Sequence, residues 1–439
     1  MVEISVVLPA YNEEQNLVSM LPFLQRELLN CVNSFEIIVV DGGSTDNTVN
    51  VSKNLGAKVT VQRDKRFGNA IKEGLEVAKG RYIITMDADN SHPPDFVSKI
   101  IESKQDADLV IGSRFIKGSI FVTNIWRKPL SLILNKTFKF TLSLPINDSS
   151  SGFRIYRRGI LQDICIECKD FDVQLELLIK IIMRGWRVKE IPLLYKKRLY
   201  GHSKARVIKC GLAFLKTLFK MYRLRNSILS GDYDDRALTS RLLPQRLWHK
   251  FKDKATFGHV DSSKCTPLDS KHLTGFTLDA GCGSGRFIQV FTNAIGLDID
   301  IRKLRFLKLV RKMKNPLVLG SVEYLPFKDQ IFEQIMCSEV IEHIPKSDII
   351  FKEFCRVLEP SGKLILTTPN YGFFIWPLLE WIYSKIIPDA YADKHISHYN
   401  LKKLKNVLGN NGFKIINYKS FLKAIIIITS QKINNRRKI

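Results

Sequence analysis

The chain has 439 residues, too many for one ordinary hydrophobic core, so we expect two or three domains. Hydrophobic residues make up 45% and charged residues 25%, which is typical of folded globular protein. A net charge of +25 indicates acidic partners, either nucleotide phosphates or an anionic membrane surface. Nucleic acid is not expected, because no DNA- or RNA-binding motif is present and the charge is spread along the chain.

The cysteines and the amino terminus bear on the cellular compartment. Cys165 and Cys168 form a single C-x-x-C with no second pair, which favours coincidence over a metal or redox site. The first residues enter a strand pattern without a signal-peptide layout, and no apolar run approaches the roughly 20 residues that span a bilayer. We therefore expect a cytoplasmic protein that is peripheral on the cytosolic face of a membrane.

In the first half of the chain, short runs rich in Val and Ile alternate with helical stretches. This alternation predicts an α/β sheet built from βα units. The predicted strands are 4–8, 37–40, 58–61, 82–86 and 109–111.

A second alternating pattern follows a polar, turn-rich segment. We place a linker at 226–240, so that the domains are 1–225 and 241–439. The predicted strands of the second domain are 277–280, 294–297, 317–319, 334–337, 363–367, 413–418 and 424–429.

Two acids follow the strand at 82–86. Asp87 and Asp89 stand one residue apart, and a turn there can aim both carboxylates at one point. Carboxylates suit Mg²⁺ or Mn²⁺, which would bridge a diphosphate and neutralise a leaving nucleotide. A solvated acidic turn is the alternative, since the D-x-D pattern by itself is common.

The ends of the first two strands support the metal interpretation. The segments 8–17 (LPAYNEEQNL) and 39–48 (VVDGGSTDNT) follow strands whose carboxyl ends lie at one edge of an open α/β sheet, where ligands bind. Asp41 would accept hydrogen bonds from a base or ribose, and the glycines after it let the backbone come close.

With the later segments 112–114 (GSR), 148–154 (DSSSGFR) and 198–204 (RLYGHSK), the first half resembles the family-2 glycosyltransferases. It looks most like the dolichol-phosphate mannose synthases and related polyprenyl-phosphate sugar synthases. The resemblance covers about residues 1–225 and implies a GT-A type fold, a nucleotide-diphosphate sugar donor, most commonly GDP-mannose, and a polyprenyl or dolichyl phosphate acceptor. It also implies a nucleotide pocket formed by Pro9, Tyr11, Glu13 and Asp41. Asp87 and Asp89 would form the metal site. The basic residues around the phosphates would be Arg114, Arg154, Arg198 and Lys204.

The implied reaction inverts the sugar by a single displacement. A phosphate acceptor is largely dianionic at neutral pH, so it needs orientation and electrostatic shielding more than a strong base. Asp148 is the base candidate if the acceptor is a hydroxyl; otherwise it orients Arg154.

The pattern of residues 206–225 predicts a basic amphipathic helix. Its basic residues fall within an arc of roughly 100° on a helix, and most of the remaining surface is apolar. Such helices commonly lie in a membrane interface, although packing on the domain would give a similar pattern. We expect peripheral membrane contact. The basic residues are Arg206, Lys209, Lys216, Lys220 and Arg223.

The second half has a strand followed by a glycine-rich turn, 277–287 (TLDAGCGSGRF). It lacks the third glycine of a dinucleotide motif and the lysine of a phosphate-binding loop. With 320–327, 337–344 and 356–370, it resembles class I S-adenosylmethionine-dependent methyltransferases over about residues 240–430. The resemblance implies a Rossmann-like seven-stranded sheet whose last strand is antiparallel. It also implies cofactor contacts from Asp279, Gly281, Gly283, Gly285, Asp298 and Glu323. A hydroxyl acceptor would need a base as well, for which His343, His395 and His398 are candidates, and His343 is favoured because it lies in the Glu-His-Ile motif.

The sequence therefore predicts a bifunctional enzyme that transfers a sugar to a polyprenyl phosphate and methylates a small molecule, sugar or lipid. One alternative is a glycosyltransferase that acts on hydroxyl acceptors in glycan assembly. Another is that one of the two domains serves only as a binding module.

Overall fold

A computed structural model of the protein describes residues 2–123, 127–201, 207–227, 229–239, 243–257, 275–291, 293–345, 347–386 and 395–433. The chain forms two compact units. One consists of Met1–Ile182 and Trp186–Tyr222, and the other of Met183–Gly185 and Arg223–Ile439. The segment 226–240, predicted as a linker, belongs to the second unit and contains a helix, Tyr233–Thr239.

The first unit is built around a seven-stranded mixed sheet. The strands are β1 Ile4–Ala10, β2 Phe35–Asp41, β3 Lys58–Val61, β4 Tyr82–Thr85, β5 Leu109–Ser113, β7 Arg154–Arg157 and β8 Val188–Pro192; two short strands, β6 Ile120–Phe121 and β9 Leu194–Tyr195, pair separately. The helices are α1 Glu14–Cys31, α2 Thr48–Asn54, α3 Phe67–Val77, α4 Asp95–Glu102, α5 Arg127–Leu142, α6 Val173–Met183 and α7 Val207–Arg225.

The strand order of this sheet is β3-β2-β1-β4-β7-β5-β8. β1 is almost wholly buried, because helices cover both faces of the sheet and its Val and Ile residues suit such a central strand. The chain runs outward from β1 through β2 and β3, and then returns to place β4 on the other side of β1. Ligands of open α/β sheets bind where the order reverses in this way, at the carboxyl ends of the strands.

The antiparallel strand β7 lies between β4 and β5. It positions the loop that precedes it beside the ends of both neighbouring strands. The helix α3 packs so closely on β1 that a Cβ at Gly74 would lie 2.2 Å from Val7 Cγ1, which requires glycine at this contact.

The second unit contains another seven-stranded sheet, in the order β12-β11-β10-β13-β14-β16-β15. Its strands are β10 Phe276–Ala280, β11 Ala294–Asp298, β12 Leu317–Leu319, β13 Phe332–Ser338, β14 Leu358–Pro369, β15 Phe413–Phe421 and β16 Ile425–Lys432. Its helices are α8 Tyr233–Thr239, α9 Leu243–Phe257, α10 Ile301–Arg305, α11 Ser347–Val357, α12 Ile375–Ile386 and α13 Leu401–Asn410.

The last strand, β16, runs antiparallel to β14, which confirms the predicted sheet. The register pairs Ala280 with both Leu297 and Cys337, so β10, β11 and β13 end at one edge. The residues that follow these three strands are therefore brought together, although they are distant in the sequence.

Candidate active sites

A cavity of about 980 Å³ lies at the carboxyl ends of the strands of the first unit. It brings together residues at the carboxyl ends of β1 to β5 and residues from the loops before β7 and after β9. Of the residues predicted for this site, seven line it: Pro9, Tyr11, Glu13, Asp87, Asp89, Arg114 and Arg198.

The two acids after β4 have different partners. Asp89 Oδ2 accepts a hydrogen bond from Arg198 Nη2 at 2.7 Å, and its Oδ1 accepts one from the Ser91 amide at 3.0 Å. The backbone N–H of Asp87 donates to His92 Nδ1 at 3.1 Å. This ring nitrogen must be unprotonated, in agreement with the burial that lowers the pKa of His92 to about 4.

The electrostatics at Asp87 fit a divalent cation. Burial, followed by the neighbouring charge of Asp89, raises the pKa of Asp87 to about 7. A cation between the two carboxylates would remove their repulsion, and the donors are oxygens, which Mg²⁺ and Mn²⁺ prefer. Asp87 and Asp89 are thus the residues of this unit that could hold such an ion.

Asp148 is completely buried and forms a bidentate pair with Arg114. Arg114 Nε donates to Asp148 Oδ2 and Arg114 Nη2 to Asp148 Oδ1, both at 2.7 Å. Burial acts to raise the pKa of Asp148, but the charge of Arg114 and its hydrogen bonds outweigh it and hold the pKa below its ordinary value. The carboxylate is therefore a weak base, and it orients Arg114 rather than Arg154.

Arg154, predicted to lie near the donor and acceptor phosphates, is not among the residues that line the cavity. It is completely buried, and its guanidinium donates to three backbone carbonyls, those of Ser149, Ser151 and Gln174, at 2.7–2.8 Å. These bonds hold the loop before β7 against the beginning of α6. Arg154 has a structural role because its donors are directed at the backbone and not at the cavity.

Asp41, predicted for the nucleotide pocket, lies next to the cavity lining and bonds to its own turn. Its carboxylate accepts hydrogen bonds from the amides of Gly43 and Ser44 at 2.9 and 3.1 Å, and from the Ser44 hydroxyl. It stabilises the turn after β2, and the cavity wall there is Gly42. Lys204 lies outside the described residues.

Several polar residues of the cavity were not predicted from the sequence. They come mainly from the segment after β3 and from β9 and its following loop, which carry no motif of their own. A cluster of cations at 62–66, directly after β3, was the available signal. The cavity residues that were not predicted are Gln62, Lys65, Arg66, His92, Ser150, Tyr195 and Lys197.

In the second unit, the turn after β10 requires its glycines. Gly281, Gly283 and Gly285 have φ values of +78°, +55° and +83°. A Cβ at Gly281 would lie 2.3 Å from Val340 Cγ2, so a side chain there is excluded by close packing as well as by the backbone conformation. The backbone N–H groups of residues 281–285 all donate within the chain, among them Gly283 N to Asp298, so the glycines are required by the conformation of the turn itself.

The predicted acids lie around this turn. Asp298, at the end of β11, accepts a hydrogen bond from the Gly283 amide at 2.8 Å, and Asp279 accepts one from the Ile288 amide at 3.0 Å. Burial raises the pKa of Asp279 to about 7. Glu323 N donates to Ser321 Oγ at 3.1 Å, which fixes the turn after β12. Asp298 stands at the end of β11, where the resemblance to class I methyltransferases predicts an acid that contacts the ribose of S-adenosylmethionine.

Asp234 of α8 also contacts the glycine turn, and the sequence analysis missed it. Its Oδ2 accepts hydrogen bonds from the Ser284 amide at 3.1 Å and from the Ser284 hydroxyl at 3.2 Å. Burial acts to raise the pKa of Asp234, but the charges of Lys303 and Arg286 outweigh it and lower the pKa to about 2. The predicted linker thus contributes a carboxylate to the cofactor region.

His343 lies in a cluster beyond β13. Ligand atoms of Glu342, His343 and His395 lie within 4.8 Å of one another, so these residues could also hold a metal ion. Tyr371 Oη lies 2.6 Å from His395 Nδ1, and Glu380 Oε1 lies 3.2 Å from the same nitrogen. The cluster follows the strand next to β10, on the edge where the glycine turn lies.

The comparisons with known proteins match a different family to each half of the chain. Residues 5–165 match Glycosyl transferase family 2, and residues 278–366 match the family described as Methyltransferase domain. The chain is 32% identical over 218 residues to the polyprenol monophosphomannose synthase of Mycolicibacterium smegmatis, covering 45% of this chain and 79% of that protein.

Two further similarities each cover about half of the chain. The dolichol-phosphate mannosyltransferase of Pyrococcus furiosus is 31% identical over 232 residues, 51% of this chain and 63% of that protein, so the match spans less than two thirds of that relative. The solved glucosyl-3-phosphoglycerate synthase of Mycobacterium tuberculosis, in complex with Mn²⁺, UDP and glucosyl-3-phosphoglycerate, is 22% identical with a TM-score of 0.40, covering 50% of this chain and 80% of that one.

The two folds and their sites define a transferase with two different catalytic domains. The chain belongs to glycosyl transferase family 2, is related there to dolichol-phosphate mannosyltransferases, and carries a methyltransferase domain in its second half.

Proposed function

We propose that the first unit transfers a sugar, mannose from GDP-mannose, to a polyprenyl or dolichyl phosphate with inversion. Asp87 and Asp89 would hold Mg²⁺ or Mn²⁺, and that ion would neutralise charge on the leaving diphosphate. Arg198, bonded to Asp89, lies next to this position and faces the same cavity. The named activities of the Mycolicibacterium and Pyrococcus relatives support this choice of donor and acceptor.

The observation that carries the proposal is the bidentate pair between Asp148 and Arg114. A hydroxyl acceptor needs a general base, whereas Asp148 is occupied by a cation that lowers its pKa. A phosphate acceptor needs cations in fixed positions, and the pair holds Arg114 in the cavity wall in such a position. The geometry therefore favours the phosphate acceptor over the hydroxyl acceptor.

A membrane acceptor requires that the protein reach a lipid surface. Among the described residues, no helix is long and apolar enough to cross a membrane. On α7, however, Leu215 and Phe219 are 62% and 65% exposed beside the exposed Lys216 and Lys220. Apolar and basic side chains on one exposed surface suit an anionic membrane interface, so we propose peripheral binding through this helix.

Sugar transfer tests this part of the proposal. Radiolabelled GDP-mannose, and then UDP-glucose, is offered to the full chain with dolichyl phosphate and Mg²⁺ or Mn²⁺. Label is expected in the lipid extract, and Asp89→Ala should abolish it. Asp106→Ala, which changes an exposed surface acid, should leave it unchanged. Absence of lipid label with both donors would contradict the proposal.

For the second unit, we propose methylation of a small-molecule, sugar or lipid acceptor with S-adenosylmethionine. The cofactor would supply the methyl group, and the chain's part would be to bind it beside the glycine turn and Asp298. His343 lies on the same sheet edge and is the proposed acceptor-side base. Calorimetry should show that Asp298→Ala weakens cofactor binding and that Asp329→Ala, an exposed control, does not. If Asp298→Ala bound the cofactor as tightly as wild type, the assignment of Asp298 to the cofactor site would be contradicted.

The binding-module alternative makes a different prediction for this domain. It requires cofactor binding without turnover in the presence of lipid-linked sugar. Labelled methyl transfer into the lipid product of the first reaction would exclude the binding-module alternative.

A further inference from the structure

One buried side chain beside the cavity of the first unit lacks hydrogen-bond partners. Gln174, in the first turn of α6, is 2% exposed, and neither its Oε1 nor its Nε2 bonds to any other described residue. A buried amide without partners costs free energy, because its hydrogen bonds to water are lost and not replaced. Such a group requires an explanation, and contact with a ligand is one.

The position of Gln174 points to the space above Gly152. A Cβ built on Gly152 would lie 3.9 Å from Gln174 Nε2 and 3.4 Å from Asp87 Oδ1. Gly152 and Asp87 both line the cavity, so the amide and the proposed metal ligand approach the same part of it. The absence of a side chain at Gly152 keeps this space open.

Arg154 and Thr85 fix this arrangement. Arg154 Nη1 donates to the carbonyl of Gln174 at 2.8 Å, while Arg154 Nε holds the carbonyl of Ser151 at 2.7 Å. Thr85 Oγ1 donates to the carbonyl of Gly152 at 2.8 Å. The backbone on both sides of the open space is therefore held rigidly, as recognition of a ligand hydroxyl would require.

We propose that the Gln174 amide hydrogen-bonds a hydroxyl of the transferred sugar and thereby contributes to the choice of sugar. The inference rests on the proposed donor, because the metal at Asp87 would hold the diphosphate to which that sugar is attached. A sugar hydroxyl both donates and accepts hydrogen bonds, and the amide offers one group of each kind. A phosphate would use only the amide N–H and leave Oε1 without a partner.

Binding of sugar nucleotides tests the inference without any acceptor. The affinities of GDP, GDP-mannose, UDP and UDP-glucose for the full chain with Mg²⁺ or Mn²⁺ are measured for wild type and Gln174→Leu. The nucleotide diphosphates should bind both proteins equally, whereas the preferred sugar nucleotide should lose roughly tenfold in affinity. Equal effects on nucleotide and sugar nucleotide, or no effect on either, would overturn the inference. Because no lipid is present, failure of the polyprenyl phosphate acceptor leaves this result intact.

The melting temperature of the protein without ligand provides a second, independent test of the role of Gln174. Leucine at position 174 removes a buried amide that has no partner, so the melting temperature should rise. Gln25→Leu is the matched control: Gln25 donates to the Leu55 carbonyl, and its loss should lower the melting temperature and leave donor binding unchanged. A lower melting temperature for Gln174→Leu would show a structural role and overturn the inference, even if neither sugar nucleotide bound.

Gly152→Ala tests the open space itself. The added methyl would meet its neighbours at ordinary contact distances, so the protein should fold normally. It would occupy the space between the amide and the sugar, and the affinity for the sugar nucleotide should fall while that for the nucleotide diphosphate is kept. Unchanged sugar-nucleotide affinity would contradict the placement of the sugar.

Discussion

The buried pair between Asp148 and Arg114 makes a quantitative prediction. Asp148→Asn keeps the shape of the side chain but removes its charge, which leaves the Arg114 guanidinium without its counter-ion at 12% side-chain exposure. Breaking a buried ion pair in this way costs roughly 3–5 kcal/mol. The loss is a large part of the total stability of a domain, which is about 5–15 kcal/mol.

The pH dependence of this effect follows from the lowered pKa of Asp148. A carboxyl whose pKa is lower in the folded state stabilises the fold above its ordinary pKa, and the stabilisation is lost as the pH falls through the folded value. At neutral pH the full effect of the substitution should therefore be seen. It should diminish in acid, as the wild-type carboxyl also becomes protonated.

Calorimetric unfolding of the full chain measures this prediction. The transition of the first unit should move down by roughly 10 °C in Asp148→Asn. The double variant with Arg114→Met removes both charges and should recover much of the loss. Asp106→Asn, which breaks an exposed pair with Lys189, should change stability by less than about 1 kcal/mol. If the double variant lost as much stability as the two single variants together, Asp148 and Arg114 would not be energetically coupled and the prediction would be refuted.

Three further predictions concern the second unit and the membrane helix. Between pH 4 and 7 folded Asp279 holds a proton that the unfolded chain releases. As the pH rises through this range, the stability of wild type should therefore fall relative to that of Asp279→Asn by up to about 4 kcal/mol, and parallel pH–stability curves would contradict this. Asp234→Ala should weaken S-adenosylmethionine binding by at least roughly tenfold in calorimetry, and unchanged affinity would exclude its contribution. Leu215→Ser with Phe219→Ser should reduce sedimentation with anionic vesicles while the melting temperature stays constant, and undiminished sedimentation would contradict membrane contact through α7.

The strands that carry both sites could be predicted from the sequence because their patterns are local. β1, β2, β10 and β11 are short Val- and Ile-rich or apolar runs followed by polar turns, and parallel pairing brings their ends to one edge. The strand β7 was missed. It has four residues with arginine at both ends, and its antiparallel pairing with β4 depends on contacts far apart in the sequence.

Motif positions predicted where residues lie more reliably than what their side chains contact. Asp41 and Arg154 stand at the predicted places, but both bond to the backbone of neighbouring turns. Asp234 contacts Ser284 across 50 residues, and its acidic surroundings resembled a solvated linker. Gln174 has no motif signal, since its significance comes from burial without partners, which only the three-dimensional structure reveals.

The most direct test of the central claim compares a phosphate acceptor with its hydroxyl counterpart. Dolichyl phosphate and dolichol are offered separately with labelled GDP-mannose and divalent metal, from pH 5 to pH 8. Label is expected in dolichyl phosphate alone, at a rate that rises as the acceptor's second ionisation near pH 6 is completed. Transfer to dolichol would show instead that the site activates a hydroxyl, and would contradict the role assigned to the Asp148–Arg114 pair.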